Sequence, residues 1–98
     1  MSPRLTLRFA ARTDVAQAAH WYEAQRSGLG IEFLNELDRL LARVAENPLQ
    51  FPEIEVGVRR GLLRRFPFGV YFLTRADRIE VIAVLHLHRK PGIWKGRA

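Results

Sequence analysis

Leu5, Leu7 and Phe9 alternate with Arg4, Thr6 and Arg8 near the start of the chain, the two-residue period of a strand with one buried and one wet face. The period then lengthens. Val15, Ala18, Ala19 and Tyr22 recur at helical spacing after Asp14-x-x-Gln17, a capping-box-like opening, and Ser27-Gly28 stops the run, so a first helix is expected over about residues 14–27. Beyond Gly30, the residues Ile31, Leu34, Leu37, Leu41 and Val44 repeat every three or four positions, with Glu32, Glu36, Arg39, Arg43 and Glu46 largely on the other side. Asn47-Pro48 closes this second helix, because the residue before a proline is pushed out of helical angles. The Gly28-Leu29-Gly30 link is short, which makes the two helices an antiparallel hairpin whose shared apolar seam must pack on something else.

A sheet is the only candidate for that role. Residues 56–65, 68–75 and 79–88 read as three strands joined near Phe66-Pro67 and at Ala76-Asp77-Arg78, connections that suit an antiparallel meander. In the last strand Ile79, Val81, Ala83, Leu85 and Leu87 fall on one face, and Glu80, Ile82, Val84, His86 and His88 on the other. Apolar character on both faces predicts an inner strand. The order β-α-α-β-β-β is that of a two-layer α+β domain, with the helix hairpin covering one face of a mostly antiparallel four-stranded sheet.

Length and composition narrow the class. The 98 residues form one domain, 1–98, and a chain of this size buries roughly 60–70% of its unfolded surface, enough for a core without staples. The chain has no cysteine, which excludes disulfides and thiolate metal sites and suits a reducing compartment. Its longest strongly apolar run, Val81 to Leu85, is far too short to span a bilayer, and its first residues lack the apolar core of a leader. A soluble cytoplasmic protein with no membrane partner is expected.

Charge changes the picture more. Residues 1–55 hold 6 basic and 8 acidic groups, net −2, whereas residues 56–98 hold 10 and 2, net +8. Of the 16 basic residues 14 are arginine, whose planar fork matches carboxylate and phosphate better than a lysine point charge does. An acidic partner follows. Arg59-Arg60 and Arg64-Arg65 are adjacent pairs on one expected strand, so alternation sends at least one arginine of each pair to each face, unless a bulge at Gly57 or Gly61 turns them outward. Arg75, Arg78, Arg89, Lys90, Lys95 and Arg97 add to the same half, with only Asp77 and Glu80 opposing.

His86 and His88 sit two apart on the last strand. They lack an evident third metal ligand, since the same-face carboxylate Glu80 is six residues away, and no metal or other cofactor is expected. As general acids or bases their ordinary pKa of about 6.5 is suitable, with Arg89 beside them to stabilise developing phosphorane charge. The bland alternative is a histidine that is simply hydrogen-bonded or exposed at a strand end. Trp21 and Tyr22 read as core or helix–sheet contacts. Trp94, past a Pro-Gly turn, reads as a side chain that folds back and pins the tail, with stacking on a base or a partner as the alternative.

Trp21-Tyr22-Glu23-Ala24-Gln25 before Gly28-Leu29-Gly30, then Phe33-Leu34-x-x-Leu37 running to Asn47-Pro48 and Phe51-Pro52, resemble the RelE/ParE toxin superfamily. Arg59-Arg60, Arg65-Phe66-Pro67-Phe68, Val70-Tyr71-Phe72 and the closing His86-x-x-Arg89-x-Pro91-x-x-Trp94 continue the resemblance in the family's order over nearly the whole chain. The resemblance implies the toxin of a type II toxin–antitoxin pair, neutralised by a cognate antitoxin that folds on binding. Two mechanisms divide the superfamily. RelE-like members cut messenger RNA on the ribosome without a metal, using basic side chains with a C-terminal tyrosine or histidine, whereas ParE-like members inhibit DNA gyrase by binding it. The last tyrosine here is Tyr71, in mid-strand, so the C-terminal tyrosine is missing and the expectation is the ParE branch, a binder rather than an enzyme. Its target- or antitoxin-binding residues would be Arg59, Arg60, Arg64, Arg65, Arg89, Lys90 and Trp94. A ribonuclease would instead use His86 or His88 as acid with Arg60, Arg64 and Arg89 on phosphate. A plain nucleic-acid-binding module is the third reading, and it lacks a stacking platform because Tyr71 and Phe72 point to opposite faces.

Overall fold

A computed structural model describes residues 4–88 and 92–98. Along the chain run β1 (Arg4–Leu7), α1 (Phe9–Gln25), α2 (Leu29–Glu46), β2 (Glu53–Glu55), β3 (Val58–Leu62), β4 (Phe68–Thr74) and β5 (Arg78–His86), with 3₁₀ turns at Pro48–Gln50 and Ile93–Arg97. The sheet order is β1-β5-β4-β3-β2, β1 lying parallel to β5 and the remaining neighbours antiparallel. Both helices cover one face, as expected from their unpartnered seam. The expected four strands are joined by a fifth, β2, whose three residues are too few to display a two-residue period. Gly57 supplies the positive φ, +80°, of the tight turn from β2 into β3. Among the described residues no helix is long and apolar enough to cross a membrane.

The first boundary moves. Alternation through Phe9 predicted a longer first strand and a helix starting near Asp14, but the Arg8 amide donates to the Val81 carbonyl and the helix begins at once, leaving Phe9 84% exposed. Asp14 is therefore no cap. It lies in the second turn of α1 with its carboxylate buried. In α2 the buried stripe is Phe33, Leu37, Leu40 and Val44, while Ile31 stays exposed. The helical period was right and the stripe is rotated by about one position. Trp21 also departs from expectation: it is 59% exposed, and only its neighbour Tyr22 enters the core.

The helix-side core centres on aromatic rings. Phe33 has no exposed surface, and the rings of Tyr22, Phe66 and Phe68 stand 5.4, 5.3 and 5.2 Å from its centroid. Gly61 on β3 lets α2 approach, because a Cβ there would meet the Phe51 ring at 3.1 Å and Leu40 at 3.2 Å. Gly61 is thus a packing glycine in regular pairing and not a bulge.

The bulge is on β5. Tyr71 pairs with Ala83 but Phe72 pairs with Val81, so Ile82 is an extra residue, and an extra residue reverses the alternation beyond it. Ile79, Val81 and Val84 consequently belong to the helix-side core, whereas Ile82, Ala83 and Leu85 pack on the opposite face with Val58, Tyr71, Leu73 and Trp94. A strict two-residue period had placed Ala83 and Leu85 with Val81. The inner position of β5, with apolar groups on both faces, is as the pattern required.

Candidate functional site

Pairing across β3 and β4 decides where the arginines point. Arg60 faces Tyr71 and Arg59 faces Phe72, and paired residues share a face. Tyr71 lies on the side away from the helices, so Arg60 does too. Arg59 takes the helix side, where its Nη1 donates to the Phe51 carbonyl at 2.6 Å. Arg64 and Arg65 lie beyond the strand rather than on it, and their backbone amides both donate to the Glu36 carboxylate, at 2.5 and 3.1 Å. The sheet face opposite the helices therefore carries one arginine of the four.

That face is not bare. The tail crosses it as the 3₁₀ turn Ile93–Arg97, entered through Gly92 at φ +92°, and Trp94 stacks on Tyr71 with centroids 5.5 Å apart. Trp94 is buried. The tail-pinning reading holds in the structure, and the ring is not displayed for a base or a partner. Between the tail and β3 lies a cleft of about 370 Å³ lined by Arg60, Tyr71, His86, Trp94, Lys95 and Glu55 among others. Arg60 lays its aliphatic stem over Gly69, whose absent Cβ leaves the room, and its Nε is buried without a hydrogen-bond partner among the described residues.

His86 ends β5, packs edge-on against Phe68 at 5.4 Å, and accepts the His88 amide on Nδ1 at 3.1 Å. The two rings stand 5.0 Å apart. His88 is in the turn and exposed, so the histidines are neighbours without being strand mates on one face. Arg89 and Lys90, assigned above to partner or phosphate contacts, lie outside the described residues.

Folding spends much of the C-terminal positive charge internally. Glu80 gathers Arg8, Arg75 and Arg78, with Nε or Nη atoms at 2.8, 3.1 and 2.9 Å. Arg97 clasps Asp14 at 2.6 Å, Arg65 meets Glu32 at 2.6 Å, and Lys95 stands 3.5 Å from Glu55. Hydrogen bonds from Arg8 and then Arg75 hold the Glu80 carboxyl at about 2, well below its ordinary 4.5, against the opposing effect of desolvation. Arg65 and Arg26 lower the exposed Glu32 in the same direction. A carboxyl depressed in the folded state stabilises it fully above the unfolded value and loses that contribution as pH falls toward the folded one. Urea unfolding of the wild type is therefore expected to weaken progressively from about pH 4.5 to about 2. Glu80→Gln should flatten that slope, leaving the share of Glu32, and an unchanged slope would remove Glu80 from this role.

A second groove was not visible in the chain order. About 390 Å³ in volume, it lies between α2 and the outer edge of β3, and is lined by Glu36, Arg39, Leu40, Arg43, Leu62, Leu63, Arg64 and Arg65. Arg39 and Arg43 come from the half of the chain with net negative charge, where their acidic neighbours concealed them. One helical turn apart, they share a side of α2, which is the available signal. Arg39, Arg43 and Arg64 form no ion pair among the described residues, and Arg43 rests on the Phe51 ring at 5.5 Å.

No family model matches the sequence, and no curated protein matches it. The fold does have solved counterparts: a chain of the chromosomal ParDE TA system from P. aeruginosa superposes with a TM-score of 0.77 over 87% of this chain and 96% of that one, at 17% sequence identity. The fold is ParE-like, a hairpin of helices on a mixed sheet, and it is shared without close sequence kinship.

Proposed function

We propose that this chain with its ParE-like fold is the toxin of a type II toxin–antitoxin pair, of the ParE branch, arresting growth by binding a target such as DNA gyrase and neutralised by a cognate antitoxin in the cytoplasm. The observation that carries the reading is the likeness to the ParDE chain over nearly the full length of both proteins. The motif order in the sequence agrees with it. Arg60, Arg64 and Arg65 are the arginines we assign to target or antitoxin contact, with Arg89 and Lys90 from the adjoining segment. Arg59 and Trp94 serve by holding the surface in shape, since one is tied to the Phe51 carbonyl and the other is buried on Tyr71.

A metal-independent ribonuclease is the second reading, favoured by one feature: Arg60, whose Nε has no partner among the described residues, and His86 line the same cleft. Expression of the chain alone should arrest growth, and co-expression of the small neighbouring reading frame should relieve the arrest. A chain that is harmless and soluble alone would overturn the toxin reading. A DNA supercoiling assay beside a ribosome-programmed cleavage assay then separates the branches. In the gyrase case His86→Ala and His88→Ala should leave inhibition within about twofold, as surface substitutions do. In the ribonuclease case loss of the general acid should lower cleavage by about 10²–10⁴-fold.

A further inference from the structure

The end of the sheet remote from His86 carries a second basic surface, on the face away from the helices. Leu5, Leu7, Ile79 and Val81 belong to the helix-side core, so the residues alternating with them in β1 and β5 turn the other way. The parallel pairs Arg4 with Arg78 and Thr6 with Glu80 therefore lie on the open face. Leu73, the β4 partner of Glu80, confirms the side, because it packs with Tyr71 and Trp94. Arg8 follows β1 and Arg75 follows β4, and they reach Glu80 at 2.8 and 3.1 Å, with Arg78 at 2.9 Å. Strand β5 runs from this cluster to His86, and the tail crosses between them, with Trp94 on Tyr71 and Arg97 at the Ile82 carbonyl.

The cluster is layered. The Glu80 side chain is 10% exposed, whereas those of Arg8, Arg75 and Arg78 are 34%, 46% and 41% exposed. The acid lies beneath and the guanidinium groups lie over it. One carboxylate cancels one of the three charges yet holds all three side chains, so the rotamer freedom an arginine loses on binding is already lost on folding. Arg4 forms no ion pair among the described residues, and Arg12 folds back on the Leu7 carbonyl with Nε at 3.3 Å. Five arginines against Glu80 and Asp77, +5 and −2, leave a net charge of +3.

We propose that this surface binds the phosphate backbone of duplex DNA without reading its sequence. The planar fork of arginine suits phosphate oxygens, and contacts to the backbone fix position without carrying sequence information. Both helices pack on the opposite face, so no helix stands here to enter a groove and reach base edges. Single strands are bound through stacking rings, and the rings of this face, Tyr71 and Trp94, are stacked on each other and buried. An acidic protein would need a desolvated apolar anchor. Leu73 and Ile82 beneath the arginines are buried, and neither groove of the molecule extends to them. Phe9, exposed beside Arg8, is a lone ring and serves as the probe for single-strand binding.

Fluorescence anisotropy of a labelled duplex of about 20 base pairs, titrated with the whole chain, should give a Kd on the order of 10⁻⁵ M at about 50 mM salt. The value should be the same for two unrelated sequences and weaken steeply by about 200 mM salt. R4Q with R12Q removes two charges that hold no ion pair among the described residues, and thermal unfolding checks that the fold is kept. This variant should bind about fivefold more weakly at low salt, with the log–log salt slope reduced by about two. R39Q with R43Q makes the same change in net charge on the other side of the sheet and should leave Kd within about twofold. In the ¹⁵N-labelled protein, duplex should shift amides of β1 and of the β4–β5 turn. Equal losses in the two double variants, shifts centred on α2 or on His86, or no binding at about 10⁻⁴ M protein would overturn the proposal. So would a single strand that binds more tightly than the duplex and loses affinity in Phe9→Ala, or polyglutamate that displaces the duplex at equal charge. The growth assay and this titration fail separately, because a harmless chain would keep the patch.

Discussion

Phe33→Ala is expected to destabilise the domain by about 3–5 kcal/mol, the range for deleting a large aromatic side chain from a closed core. The ring is wholly buried and is the hub of the cluster with Tyr22, Phe66 and Phe68. Those neighbours come from α1, from the β3–β4 connection and from β4, so no single element can shift to fill the space. A domain of this size loses roughly 4–8 °C of Tm per kcal/mol, which puts the fall near 20 °C. Ile31→Ala, two residues earlier on the same helix and 60% exposed, should change stability by less than about 0.5 kcal/mol. Thermal unfolding followed by circular dichroism measures both. Equal losses at the two positions would contradict the stripe of α2 described above.

Asp14→Ala should cost about 3 kcal/mol, for a reason that the helix alone does not supply. Strand β1 stops pairing at Leu7 opposite Val81, and past that point the edge of β5 needs other partners. The Val84 amide donates to Asp14 Oδ2 at 3.0 Å, and the Ile82 carbonyl accepts from Arg97 Nη1 at 3.2 Å. Arg97 in turn holds Asp14 through both Nη atoms, at 2.6 and 3.3 Å, while Arg8 donates to the Arg97 carbonyl. An acid on α1 and a base in the tail thus finish the strand edge beside the bulge. Removing the carboxylate strands a buried amide and releases the tail. Arg97→Ala should cost less, about 1 kcal/mol, because its guanidinium is partly solvated and Asp14 keeps the Val84 bond. In a Trp21→Phe background, where Trp94 is the remaining indole, both variants should shift its emission to the red as it lifts from Tyr71. Unchanged emission in Asp14→Ala would mean that the tail is held by stacking alone.

These two residues show how much of the molecule was legible beforehand. Phe33 lies inside a helix that its period predicts, yet the stripe that spacing favours runs through Ile31 and Leu34, because several registers of three-and-four spacing fit one apolar-rich helix. Packing on the sheet selected among them. Asp14 has the local signature of a helix start, a small acidic residue followed by Gln three positions later. The Arg8 amide, bonded to Val81 across the sheet, moved the start ahead of it. The arginines followed the same logic. Alternation correctly sent Arg59 and Arg60 to opposite faces, but only pairing with Phe72 and Tyr71 said which went where. Arg64 and Arg65 fell off the strand altogether. The basic groove, half of it built from Arg39 and Arg43, could not be read from charge counted along the chain, because the helix hairpin brings an acidic half alongside a basic one.

The sequence by itself determined the class of fold, the helix hairpin, the inner apolar strand and the fold-back of Trp94. These follow from local periodicity and from the need of every apolar face to be covered, which act over a few residues at a time. Only the tertiary structure decided the side each arginine takes, the cancellation of Arg8, Arg75 and Arg78 on Glu80, and the basic groove beside α2. Each of those depends on a strand register or on a charge tens of residues away. One extra residue at Ile82 reverses a face, and the fold of α2 against β3 sets Arg39 and Arg43 beside Arg64, and neither event has a local signature in composition or spacing.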